Sequence, residues 1–87
     1  MFKRLFNKEP SHIVSVSNTG DVITDIKWIN SILEGEDGRH CSIPHKISLL
    51  KATENLVIVK ITGVHEYVLR DYFKGYPDII IALDPTG

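Results

Sequence analysis

The stretch GVHEYVLRDYFKGYP, from Gly63 to Pro77, leaves this chain the least freedom. Val64, Val68, Leu69, Tyr72 and Phe73 cover one half of a helical wheel, while Glu66, Arg70 and Asp71 share the other. That is the pattern of a helix with one face on a core. Thr62 or Gly63 caps its start, Lys74 and Gly75 end it, and Pro77 prevents its resumption, which predicts a helix over 64–74. His65 falls in the apolar arc of the first turn and reads as a packed histidine. Glu66 reads as a first-turn acid favoured by the helix dipole. Apolar runs flank the helix, LVIVKI before it and DIIIAL after it. Strand, helix and strand with short connections imply a right-handed crossover to a parallel neighbour.

Upstream, KISLL and LVIVKI enclose the polar ATEN and predict a hairpin. Pro44 marks the start of its first strand or an edge position, because proline cannot donate to a ladder. A helix beginning at Ser42 with Pro44 in its first turn is the competing reading. Residues Leu56 to Ile61 are apolar except Lys60 and read as a central strand buried on both faces. DIIIALD reads as a final buried strand.

HIVSVSNTGDVITDIK predicts another hairpin, with Gly20 in the left-handed position of a three-residue loop. Val16 would then face Val22, and Val14 would face Thr24. The following residues fit two states. On a helical wheel Ile26, Trp28, Ile29, Ile32 and Leu33 share one side, with Thr24 as cap and Gly35 as stop. Three isoleucines and a tryptophan equally favour a strand. A second strand to about residue 27 and a short helix near 27–34 reconcile the two.

At 87 residues the chain builds one core. The expected fold is a single small α+β domain over 11–87. It has a mainly antiparallel sheet of 4-5 strands, the C-terminal helix 64–74 packed on a face, and the short helix near 27–34 beside it. Residues 1–10 form an N-terminal amphipathic segment, with Phe2, Leu5 and Phe6 at helical spacing and Lys3, Arg4 and Lys8 on other faces. Glu9-Pro10 ends it. A lone cysteine excludes an internal disulfide. The absence of a secretory pattern and of any run near 20 apolar residues points to the cytoplasm and away from a membrane. Formal net charge is −1 without a basic stripe, which disfavours nucleic acid as a partner. Residues 21–45 are acidic: Asp21, Asp25, Glu34, Glu36 and Asp37 stand against Lys27 and Arg39.

GRHCSIPH holds the most reactive residue types, His40, Cys41 and His45. In a strand the first two point to opposite faces, and in a helix Cys41 and His45 stack at i, i+4. Structural zinc wants four ligands, so His12 and His65 would have to complete the set from distant elements. A thiolate nucleophile at Cys41 lacks an orienting third residue and an oxyanion donor. No catalytic, phosphate-binding or calcium-loop motif occurs, and no cofactor is expected. The aromatics say more, because exposed Trp and Tyr bury large area at small rotamer cost. The expected function is a small non-enzymatic protein-binding module, of inhibitor or immunity type, that masks a partner's functional surface. Trp28, Tyr67 and Tyr76 would anchor it, while Glu34, Glu36 and Asp37 steer a basic partner. The alternatives are a metal- or thiol-dependent activity at His40, Cys41 and His45, and a homo-oligomer joined through FKRLF or a sheet edge.

Overall fold

A computed structural model describes residues 9–83; residues 1–8 and 84–87, and with them the FKRLF segment, lie outside the description. The element order is β1 (Ser11–Ser17), α1 (Val22–Leu33), β2 (Lys46–Ala52), β3 (Leu56–Thr62), α2 (Glu66–Tyr72) and β4 (Ile80–Leu83). The strands form one antiparallel sheet ordered β2-β3-β1-β4. β1 and β2 therefore run the same way with β3 between them, and β3 and β4 run the same way with β1 between them. Two split β-α-β units interleave, which is the ferredoxin-like connectivity.

The α+β class and the hairpin across ATEN agree with the sequence reading; several details do not. The first hairpin does not form. Asp21 caps a helix instead, its carboxylate accepting the Ile23 and Thr24 amides at 3.1 and 3.4 Å and the Thr24 hydroxyl at 2.8 Å. Capping and the 3.6-residue spacing of Val22, Ile26, Ile29 and Leu33 outweigh the strand preference of the β-branched residues. The helix expected near 27–34 thus starts at Val22 and is the longer of the two. The C-terminal helix is shorter than 64–74, running from Glu66 to Tyr72 with His65 at its N-cap. His65 is exposed and not packed. The crossover after β3 skips a strand, because β1 occupies the neighbouring place.

Burial alternates along the inner strands. Val14 and Val16 of β1 and Val57, Val59 and Ile61 of β3 are buried, and the register pairs Val14 with Val59 and Val16 with Val57. Ile29, Ile32 and Leu33 of α1 and Leu69, Tyr72 and Phe73 from the second helical region close over this face. Each such aliphatic side chain contributes roughly 1.5–3 kcal/mol. Among the described residues no element covers the opposite face, so there β3 is central yet covered on one side only. β4 is an edge strand whose Ile80 is 61% exposed, not a buried one. The apolar runs there look two-sided because isoleucines also occupy the open face. No helix among the described residues is long and apolar enough to cross a membrane.

After α1 the chain makes a tight return. Gly35, in the left-handed region at φ 77°, follows the helix's C-cap residue Glu34. The Gly35 amide donates to Ile32 O at 3.1 Å, and Ile43 N–H donates to Leu33 O at 2.9 Å. Gly38 shares that conformation at φ 78°. A Cβ at 38 would meet open space, whereas at 35 it would strike the His40 carbonyl and the Cys41 backbone. Gly38→Ala should therefore cost about 1 kcal/mol, the conformational part alone. Gly35→Ala should cost clearly more, and urea unfolding of the pair measures the difference.

Candidate functional site

The segment 34–45 does not dangle from the domain; it straps the two helices together. Its Asp37 Oδ1 accepts the Arg39 amide at 3.0 Å, closing a local turn. Its Asp37 Oδ2 accepts the Tyr76 hydroxyl at 3.0 Å. His40 Nε2 meets Asp71 Oδ2 at 3.0 Å, and its ring stacks on Tyr72 at 4.2 Å. The Tyr72 hydroxyl donates to the Cys41 carbonyl at 2.6 Å. A segment this long needs such partners, because it lies outside any helix or strand and only its Glu34, Gly35, Glu36 and Ile43 amides bond back to α1.

The strap assembles an aromatic cluster. Trp28 of α1 and Tyr76, from the loop after α2, meet edge to face with ring centroids 5.6 Å apart and planes at 83°. That is a favourable quadrupole arrangement. The Arg39 guanidinium lies 6.0 Å from the Tyr76 ring centre, at the outer limit of a cation–π contact. It also rests against Gly75, where a Cβ would collide with it. Trp28 remains 38% exposed and lines a groove of about 330 Å³ with Ser17, Thr19, Thr24, Asp25 and Asp78. Asp25 is only 3% exposed, and its carboxylate accepts the Thr19 amide at 3.1 Å and hydroxyl at 2.6 Å. The groove therefore offers an indole, hydroxyls and two carboxylates, with no base in its wall. A cationic side chain matches that chemistry.

Of the residues singled out in the sequence, Trp28, Asp37 and Tyr76 come together. Glu36 stays exposed beside Asp37. Glu34 accepts the Ser42 hydroxyl at 2.8 Å and sits 4.0 Å from His45 Nε2. Tyr67 is 73% exposed on α2 and stacks on His65 at 5.7 Å, outside the cluster. The three reactive residues of GRHCSIPH part company. His40 faces α2, while His45 donates from Nδ1 to Ile43 O at 2.6 Å and meets Asn30 Oδ1 at 2.6 Å. Cys41 is a free, exposed cysteine. Among the described residues no three His, Cys, Asp or Glu side chains are placed to hold a metal ion. Arg39, Asp25 and Asp78 were absent from the sequence-derived set. A first-turn acid after Asn-Thr-Gly-Asp was a usable signal for Asp25; the other two have none short of the tertiary structure.

The chain matches no protein-family model, and comparison with curated proteins and with solved structures gives no match either.

The cluster's electrostatics are set by its hydrogen bonds. The Arg39 amide, and after it the Tyr76 hydroxyl and the Arg39 charge, hold the Asp37 carboxyl below its ordinary 3.8. Burial first, and then the bond to Asp37, push the Tyr76 phenol above its ordinary 10.0. Burial likewise raises Tyr72, helped by Cys41 and Asp71. Between the ordinary value and their raised ones, these phenols keep protons that an unfolded chain releases. Stability should therefore fall as pH rises past about 10. For Asp37 the sign reverses: its contribution stands above the unfolded value of 3.8 and is lost as pH falls through the lower folded one. Asp37→Asn should bring Tyr76 back toward its ordinary titration and move Tyr72 little, read as tyrosinate absorbance against pH.

Proposed function

We propose that this chain is a small non-enzymatic protein-binding module that docks a basic partner through its helical layer. In this reading it masks a functional surface of that partner in the cytoplasm, as an inhibitor or immunity-type protein does. The observation that carries the proposal is the Trp28–Tyr76 pair. It joins two elements at 5.6 Å, is pinned by Asp37, and leaves the indole open beside a carboxylate-lined groove. Aromatic anchors held in one geometry before binding lose little entropy on docking.

Charge supports the same surface. The two helices and the segments that join them to the sheet hold eight carboxylates against four bases. Such a layer raises the encounter rate with a basic partner, and the partner's lysine or arginine would enter the groove beside Trp28. Tyr67 stands one helical turn before Asp71 on α2 and belongs to the rim of this surface.

Once the partner is captured and purified, affinities of variants test the reading. Trp28→Ala and Tyr76→Ala should each weaken binding about 30-fold, the effect of losing roughly 2 kcal/mol at a hot spot. Glu34→Gln, Glu36→Gln and Tyr67→Ala should each change it less than tenfold. The glutamate changes should act mainly on the association rate at low salt. Equal and negligible effects from all five would remove the proposal.

A further inference from the structure

The sheet face turned away from the helices carries the opposite charge. The register places Lys46 beside Thr62, Lys51 beside Ile58, and Lys60 between Ser48 and Ile13, so all three strand lysines lie on this face. The strands contain no acid and no Phe, Trp or Tyr. Ile58, Ser15 and Ile80 form one row across β3, β1 and β4, and Lys60, Ile13 and Ala82 the next. Ile80 is 61% exposed and Leu56 40%, while Ile13 and Ile58 are half-buried in the pleat. Lysines on an edge strand deter unwanted strand pairing, which would account for Lys46 and Lys51 on β2. Lys60 sits on an inner strand, between Ser48 and Ile13.

We propose that this open face docks an amphipathic acidic helix of a partner protein, its apolar stripe on Ile13, Ile58 and Ile80 and its carboxylates toward Lys46 and Lys51. Helices already cover the other face of the sheet, and a third would complete a layered sandwich. The isoleucines span two strand spacings, about 10 Å, which is the diameter of one helix. Charge selects among occupants. A second copy's open face would set lysine against lysine. The chain's own residues 1–8 carry Lys3, Arg4 and Lys8 and no acid. Nucleic acid would find no aromatic ring on which to stack a base. Ile13 and Ile58, recessed in the pleat, can receive a helix's side chains but cannot insert among lipid chains.

The test uses the full chain and a fluorescently labelled synthetic helix with leucine along one stripe and glutamate elsewhere, read by anisotropy. Controls are the same peptide with lysine for glutamate, a single-stranded oligonucleotide and phosphatidylserine vesicles. The acidic peptide should bind in preference to all three controls and weaken several-fold at high salt. Ile80→Glu, and separately the pair Lys46→Glu and Lys51→Glu, should each weaken it at least tenfold. These positions are exposed, and circular dichroism checks that the variants fold. Trp28→Ala should leave peptide binding unchanged, so this surface and the helical-layer reading succeed or fail separately. Absence of binding, equal binding of the lysine peptide, or stronger binding of the oligonucleotide or vesicles overturns the proposal. So does a wild-type dimer that Ile80→Glu makes monomeric, or peptide binding seen only after residues 1–8 are deleted.

Discussion

Asp25, a carboxylate only 3% exposed, takes the amide and the hydroxyl of Thr19 at 3.1 and 2.6 Å just where the chain leaves β1. A carboxyl group this secluded must be hydrogen-bonded, because an unsatisfied buried polar group is among the costliest arrangements a fold can hold. In a hairpin Asp25 would lie on the wet side of the second strand and Thr19 in its turn, with no reason to meet. Their contact, together with the Asp21 cap, ties the Asn18–Asp21 turn to the first turn of α1 and lifts the chain off the end of the sheet. Both edges of β1 are thereby left for later segments. β3 takes one and β4 the other, and the interleaved order β2-β3-β1-β4 follows.

This dependence explains which parts of the structure could be read from the residues. The hairpin β2–β3 needs only a polar turn between two apolar runs, and Leu69, Tyr72 and Phe73 reach the core because one helix's periodicity places them there. Those are local matters. The state of residues 18–34 is not local, since strand propensity and helical spacing both fit them and the Asp21 cap and the Asp25–Thr19 contact both side with the helix. The one-sidedness of β3 was hidden for another reason. An open face furnished with Ile58 beside buried Val57 and Val59 reads, in one dimension, like a strand buried on both sides. The candidate site was half accessible: aromatic and acidic residues stood out, but the meeting of Trp28 with Tyr76 depends on a strap whose path no periodicity encodes.

The strap also explains why GRHCSIPH is chemically quiet. Its histidines are spent on structure, His40 stacked against Tyr72 and paired with Asp71, His45 bridging α1 and the Ile43 carbonyl. Cys41 supplies a carbonyl to Tyr72. Polar residues clustered on a connecting segment are what a connection between two helices requires once it runs over them instead of away from them. Buried polar groups there need partners, and His45, with a nitrogen at either end of a flat ring, links the strap to α1.

The division of charge between the two faces follows from the same layering. The helical layer uses aspartate where its chain turns, at the Asp21 cap of α1 and at the Asp37 turn, whose carboxylates accept nearby amides. The strands cannot use such residues without disturbing their ladders, and their open face takes lysine, serine and threonine among isoleucines. An acidic helical side and a basic sheet side are therefore first a consequence of where each residue type is tolerated. What tolerance alone leaves unexplained is the company the charges keep. On one face an indole and a phenol are locked together beside two carboxylates, and on the other exposed Ile80 and half-buried Ile13 and Ile58 share a surface with the lysines. Apolar groups held together at the surface cost solubility unless something covers them, and that cost is the physical reason to read both faces as places of contact.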